Sequence, residues 1–429
     1  MKHPRIPVYL NPALLAAMLI TTLVLASCAK HPTPPATTPA ATQAEAQPGT
    51  ATPQTGSGGA APTGDTGTPG TPSSAENTAP AGTGEFSVRF LNVGKGDAAL
   101  IRLPGGGWAM VDTGPADGFA ALGGMLRKLG ITKLDAVFIS HPHNDHRGGL
   151  DDVLSLVKCP VVYTTHADYG KDTEALNKTA SSHGVPLKTM AAGDVVTLRD
   201  VTFTAMGPNG HFTANDNDNS LVLRVEWAGS RALFTGDQSF AAEQALLKTG
   251  ADIRSDILKV GHHGKADASG ADFLKAVSPR WALIPTGPDD PPDAGTVQRL
   301  RTAGAEIRTA FEGGGAYWDG HTFAALATEA LPQLTITEVD VKAEYIEIQN
   351  NSGEVATLTG VCLRSVKGNQ LYFFPNGTVL PAGGTLRVYS GVGEAPAGAL
   401  LWSPKKIWHD KKADTAQILD WYGRVVAER

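Results

Sequence analysis

Apolar positions divide the chain into stretches of different character. Leu14 to Leu25 form one short apolar run, and between Ala29 and Glu85 there is no Val, Ile, Leu, Met, Phe, Trp or Tyr. Patterning of a folded kind begins abruptly at Phe86. Phe86–Asn92, Asp97–Leu103 and Trp108–Val111 predict short strands between Gly-rich turns, and Leu134–Ile139 predicts a buried strand. Gly118–Leu129 and Gly148–Val157 predict helices. Beyond Leu187 come further strands and then a regular alternation: strand over 231–235, helix over 240–249, strand over 256–260, helix over 271–277, strand over 281–285, helix over 295–303. Strands first and helices interleaved later predict two sheets with helices packed outside them. From Leu334 the pattern turns all-strand, over 334–339, 345–349, 355–363, 370–374, 385–389 and 417–419, with turns such as Pro375-Asn-Gly377 and Pro381-Ala-Gly-Gly384.

The N-terminal run is too short to span a bilayer comfortably and follows Lys2 and Arg5, as in an export signal. It ends in Leu25-Ala26-Ser27-Cys28, which resembles the bacterial lipobox, so Cys28 is the expected lipidation site. An ordinary secretory signal with a chance cysteine is the weaker reading. The 29–85 stretch of Pro, Thr, Ala, Gly and Ser has nothing to bury and is expected to be a disordered linker. A signal over 1–28, a linker over 29–85, one folded domain over 86–328 and another over 333–428 follow. The expected location is the cell envelope, lipid-anchored on the extracytoplasmic side of a bacterial membrane, with no transmembrane channel of its own.

Net charge narrows the partners. At −6 over 429 residues the chain has no global basic field, so a polyanion would be held by a local patch or a metal. Three cysteines exclude a disulfide framework and a four-cysteine zinc site. The histidines carry the chemistry instead. His141, His143, Asp145 and His146 crowd into one loop after a hydrophobic strand, a donor set of nitrogen and oxygen that suits zinc, manganese or iron. Histidines capping a helix entry would be a poor reason for such crowding. Asp237 ends a strand in Leu233-Phe-Thr-Gly-Asp237, where alone it would read as a helix N-cap. His262 and His263 end the next strand.

These residues resemble the metallo-β-lactamase superfamily, and more narrowly the extracytoplasmic hydrolase domain of the ComEC family of competence proteins. The shared segments are Leu91-Asn-Val-Gly-Lys-Gly-Asp97-Ala, Val111-Asp112-Thr-Gly114, Ser140 to Gly149, Asn217-Asp-Asn-Ser220, Phe234-Thr-Gly-Asp237 and Lys259-Val-Gly-His262-His-Gly264. The resemblance implies an α/β four-layer αββα sandwich with two divalent metal ions, zinc or manganese. It puts His141 and His143 on one ion, Asp145, His146 and His262 on the other, and Asp237 between them. Asp145 and Asp237 are then also the catalytic carboxylates. Asp112 would support the histidine loop, though it also reads as a turn residue. Asn219, His263 and Lys265 stand as supporting or substrate-contacting residues, and Asp145 or His263 as the proton carrier. Two such ions would make a nucleophilic water available at neutral pH.

The sequence departs from the superfamily in three places. No histidine precedes the strand leading to Asp237, where Asn215-Asp-Asn-Asp-Asn219-Ser220 stands. The Gly-His-Pro of relatives is replaced by Pro288-Asp-Asp-Pro-Pro292-Asp, which reads as a solvated Pro-rich turn, with Asp289, Asp290 or Asp293 as the alternative substitute for the histidine. Lys265 takes the place of a serine.

Glu344-Tyr-Ile-Glu347-Ile-Gln-Asn350, Leu358-Thr-Gly360 and Leu419-Asp-Trp-Tyr-Gly423 resemble a lamin-tail domain, an all-β immunoglobulin-like sandwich, which implies binding or targeting. Within it Trp402, Lys405, Lys406, Trp408, His409, Lys411 and Lys412 have the composition of a single-strand nucleic-acid platform or of a solvated loop with two packed tryptophans. Three functions remain open on sequence grounds. The first is a phosphodiesterase or nuclease acting on extracellular DNA. The second is a hydrolase of another envelope polymer, a lactone or a β-lactam. The third is a tethered binding lipoprotein without activity.

Overall fold

The computed structural model describes residues 86–327, 329–330, 332–408 and 414–429. The expected lipidation site Cys28, the signal and the linker lie outside the described residues. Among those described, no helix is long and apolar enough to cross a membrane.

The first half of the domain runs β1 (Ser87–Leu91), β2 (Ala98–Leu103), β3 (Gly107–Thr113), α1 (Phe119–Lys128), β4 (Ala136–Ile139), α2 (Asn144–Arg147), α3 (Leu150–Leu156), β5 (Val162–Thr165), α4 (Lys171–Ser182) and β6 (Leu187–Met190). The second half runs β7 (Val195–Leu198), β8 (Val201–Gly207), β9 (Val222–Trp227), β10 (Ser230–Phe234), α5 (Phe240–Lys248), β11 (Ile257–Lys259), α6 (Ala271–Val277), β12 (Trp281–Ile284), α7 (Ala294–Thr302) and β13 (Glu306–Thr309). The chain then returns to the first sheet as β14 (Gly315–Trp318) and β15 (Phe323–Ala325). The first sheet has the order β15-β14-β1-β2-β3-β4-β5-β6, and the second β13-β12-β11-β10-β9-β8-β7.

The two sheets face each other across an aromatic core. Phe138 stacks on Phe203 with ring centroids 4.6 Å apart, and Phe90 on Phe234 at 5.6 Å. Leu122, Leu126, Leu150, Val153 and Leu176 bury the outer face of the first sheet under α1, α3 and α4. Leu246, Phe273, Leu274, Val277 and Leu300 do the same for the second sheet under α5, α6 and α7. This is a four-layer α/β sandwich. Every residue of β3 and of β4 is buried, which is why neither shows an alternating pattern in the sequence.

The C-terminal part is all β. One four-stranded sheet contains Leu334–Asp340, Tyr345–Asn350, Thr385–Ser390 and Leu400–Ser403; the other contains Gln370–Phe373, Cys362–Ser365, Ala416–Leu419 and Val425–Glu428. The strand expected over 355–363 is interrupted. Ala356–Thr357 pairs with Val379–Leu380, Gly360 turns with φ +83°, and a new strand starts at Cys362.

This sandwich is seated directly on α1. The helix presents Ala120, Ala121, Gly123 and Gly124 to it, and Ala120 packs with Cys362 and Leu419. A Cβ on Gly124 would lie 2.9 Å from the Gly360 carbonyl oxygen and 2.9 Å from Trp421 Cα. Glycine inside a helix costs about 1 kcal/mol relative to alanine, and here it permits that close approach. Phe119 meets Phe373 edge-on at 6.1 Å, and Lys128 Nζ lies 3.8 Å from the Trp421 ring centroid.

The tryptophan platform is corrected by burial. Trp408 is 2% exposed and meets Trp402 edge-on at 5.6 Å, so it packs inward instead of offering a face to bases. Buried Glu344 accepts hydrogen bonds from the Ile407 and Trp408 amides and pins this loop. His409, Lys411 and Lys412 lie outside the described residues.

Candidate metal centre

The chemistry gathers where β3, β4, β10 and β11 end. Two of these strands, β3 and β11, deliver their residues through a constrained backbone. Asp112, at the end of β3, has φ +53°, and the consecutive His262 and His263 have φ +48° and +50°. A left-handed residue other than glycine costs roughly 1–2 kcal/mol, so three of them here mark positions that surrounding contacts hold in place.

Asp145, His146, Asp237 and His263 each aim a ligand-type atom at one point, all within 4.8 Å of one another. His146 Nε2 is 3.2 Å from Asp237 Oδ1; His263 Nε2 is 3.2 Å from Asp237 Oδ2 and 3.3 Å from Asp145 Oδ2. Yet His146 Nε2, Asp237 Oδ1 and His263 Nε2 are buried without a hydrogen-bond partner. Buried polar atoms are normally satisfied, so this convergence fits a cation.

The far side of each ring is tied down. His146 Nδ1 donates to Asp112 Oδ2 at 3.0 Å, and Asp112 Oδ1 accepts from the Ser140 amide at 2.6 Å. His263 Nδ1 donates to the Pro285 carbonyl at 2.9 Å. Both contacts fix Nδ1 as a donor and aim Nε2 inward, the arrangement that orients metal-binding histidines once Nε2 gives up its proton. Asp112 is therefore a positioning residue and not a free turn. Asp112→Asn should weaken metal binding about 10–100-fold while leaving the fold intact, as measured by metal titration beside circular dichroism.

His141 and His143 form the adjacent pair. His141 Nε2 is 3.1 Å from His143 Nδ1, while the outer His141 nitrogen contacts the Ser140 hydroxyl at 3.1 Å and that of Ser220 at 3.3 Å. His143 Nε2 lies 3.4 Å from Asp216. The Tyr169 ring borders both histidines, with centroid distances of 5.8 and 5.4 Å.

Several expected residues stand elsewhere. His262, the expected ligand, is turned outward, with Nδ1 3.0 Å from Asp267 and Nε2 3.4 Å from the Asn217 amide. Successive left-handed residues send the two rings in different directions, and His263 has the inward one. Asn219 braces a loop, donating to the Phe212 carbonyl at 2.7 Å and accepting from its amide at 3.0 Å. Asp237 is not the cap of α5, because Ser239 occupies that position. Asp293 caps α7 through the Thr296 amide, and Asp290 pairs with lysines, so neither joins the cluster. Lys265 stands at the rim, partly exposed and paired with Asp290.

Two residues inside the quoted motifs carried no assigned role. Buried Lys259 donates to the Gly236 carbonyl at 2.7 Å, pairs closely with Asp97 and lies 3.7 Å from Asp237 Oδ1. Asp97 also approaches His263 Nδ1 at 3.4 Å. A lysine in a hydrophobic strand and an aspartate after Gly-Lys-Gly were the available signals.

The carboxylates set the charge of the rings. Burial opposes a charged His146, but Asp237, Asp97 and Asp112 outweigh it and hold its pKa up to about 10. Against burial, the Asp237 carboxylate first, then the neighbouring Asp145 and Asp97 carboxylates, keep His263 well above the ordinary histidine value. Burial, and charge on His146, keep His141 well below it. At neutral pH the metal-free cluster thus carries protons on His146 and His263 that a cation must displace. More than one proton should be released per metal bound, and affinity should rise with pH toward about 10. Calorimetry in buffers of different ionisation heat measures this; zero release would exclude these donors.

Residues 91–287 match the Metallo-beta-lactamase superfamily, and residues 327–429 match the Lamin Tail Domain. Among solved structures, the metallo-beta-lactamase fold protein YhfI from Bacillus subtilis aligns with TM-score 0.40 and 18% identity, covering 55% of this chain and 99% of that one. ComE operon protein 3 of Bacillus subtilis (strain 168) is 29% identical over 222 residues, covering 47% of this chain and 28% of that protein. Competence protein ComA of Neisseria gonorrhoeae is 29% identical over 207 residues, covering 47% and 27%. Recombination protein 2 of Haemophilus influenzae is 29% identical over 238 residues, covering 53% and 28%. The chain spans little more than a quarter of the length of these relatives. It carries a metallo-β-lactamase superfamily domain related to competence proteins, joined to a C-terminal lamin tail domain.

Proposed function

We propose that this chain is an envelope-anchored, metal-dependent phosphodiesterase that cuts DNA outside the membrane. The observation that carries the reading is the set of buried, unpartnered atoms His146 Nε2, Asp237 Oδ1 and His263 Nε2 converging beside Asp145. The relatives named for competence and recombination support DNA as the substrate. The lipobox-like Leu25-Ala-Ser-Cys28 supports the anchor.

Asp145, His146, Asp237 and His263 would hold one divalent ion, and His141 and His143 would begin the site of a second. With only nitrogen and oxygen donors, zinc and manganese both suit. A divalent ion bound there supplies Lewis acidity toward a phosphoryl oxygen and a water acidified toward neutral pH. The chain's own residues do the rest. Asp112 and the Pro285 carbonyl orient the rings, and Lys259 balances Asp97 beside Asp237.

The purified protein is tested with manganese and with zinc on bis(p-nitrophenyl) phosphate and on single-stranded DNA, beside Asp237→Ala. Metal-dependent cleavage of both, lost in the variant, is expected. Cleavage of the small ester alone would move the substrate to another envelope phosphoester. Neither bound metal nor cleavage would leave a tethered binding protein.

A further inference from the structure

We infer that Lys95 and Lys265, bridged by Asp290, form an anion subsite at the mouth of the metal cluster that takes a second phosphate next to the scissile one. The inference rests on the phosphodiesterase reading and names the substrate feature that site would select.

Three loops meet here. The first is the turn Gly94-Lys95-Gly96, with φ +79° and +152° at its glycines. A Cβ on Gly96 would fall 2.5 Å from the Asp145 carbonyl oxygen, which also accepts the Asp97 amide at 3.1 Å. The turn bearing Lys95 is thus laid against the peptide of a cluster carboxylate. The second loop carries Lys265, two residues after inward-facing His263, and the Thr296 hydroxyl holds its carbonyl at 2.7 Å. The third carries Asp290, and its Gly287 lies against Gly94 and the Lys95 amide, 3.6 Å from an added Cβ.

At the junction Lys95 Nζ is 3.1 Å from Asp290 Oδ2, and Lys265 Nζ is 2.6 Å from Asp290 Oδ1. Two ammonium groups share one carboxylate, so the trio keeps a net positive charge. Each ammonium has three donors, and one carboxylate cannot use them all. One carboxylate touches both groups, so a phosphate, whose oxygens are spaced similarly, can touch both as well. The side chains of Lys95, Lys265 and Asp290 are 48%, 37% and 30% exposed, so a solute reaches them. Asp290 gathers the lysines when no substrate is present.

The test compares the dinucleotide pTpT with TpT, which lacks the 5′-phosphate, using wild type and K95A/K265A in the full chain. Thermal denaturation of both proteins accompanies the kinetics. Binding of a labelled 5′-phosphorylated oligothymidylate is measured separately by anisotropy in calcium. Wild type should prefer pTpT through a lower KM. The variant should lose that preference roughly 2- to 10-fold, since partly exposed ion pairs contribute little each, and its anisotropy signal should weaken likewise. Asp290→Asn should tighten oligonucleotide binding by removing the internal competitor. Equal losses on pTpT and TpT, with a lowered Tm, would make the trio a structural latch and overturn the subsite. So would an unaltered preference in an active variant. Lysine-dependent binding without cleavage by wild type would retain the subsite and reject the phosphodiesterase reading.

Discussion

His263→Ala is expected to strip the metal from the cluster, whereas His262→Gly keeps it. The first change removes an Nε2 that lies within 3.3 Å of both Asp145 and Asp237. Apparent binding energies of about 10–16 kcal/mol for four-ligand zinc sites leave roughly 3 kcal/mol per donor, so affinity should fall about 100-fold or more. Hydrolysis should fall with it. His262 contributes a contact to partly exposed Asp267, worth about 0–1 kcal/mol, and a long one to the Asn217 amide. Glycine there also removes the left-handed penalty of roughly 1–2 kcal/mol, so Tm should hold or rise. Metal content by mass spectrometry, beside Tm, separates the two variants. Equal metal loss in both would mean that the inward histidine has been misassigned.

Gly124→Leu is expected to unseat the C-terminal sandwich. Its added atoms would meet the Gly360 carbonyl and the Trp421 Cα and carbonyl, all backbone that cannot rotate aside. Overpacking of this kind costs about 1–3 kcal/mol, occasionally more. Tm should fall by several degrees, and a protease should gain access to the joint between Ala327 and Leu334. Gly353→Ala, where nothing lies within 4 Å of an added Cβ, serves as the control and should change neither. An unaltered Tm in Gly124→Leu would show that α1 does not carry the module.

Much of the layered fold is legible because local pattern and final structure agree. The helix expected over 271–277 occupies those residues, and strands such as β10, β11 and β12 fall within a residue or two of their apolar runs. What was not legible depends on distant pairing. β14 is a four-residue strand among glycines whose place is set by β1, more than 200 residues earlier in the chain. The break at Gly360 lies where the chain meets α1, and no local sequence feature announces that a helix will rest there. At the site, donor types and loops could be read from the chain. Which of two adjacent histidines faces inward could not, because it depends on backbone angles that histidine rarely adopts. Asp97 and Lys259 escaped because their pairing joins β11 to the loop after β1, a contact no spacing rule encodes.

The seating of the sandwich on α1 makes the described chain a ruler. The helix starts seven residues after Asp112, so the surface of the module keeps a constant bearing to the cluster. Whatever that surface holds therefore keeps one distance from the cluster instead of swinging on a tether.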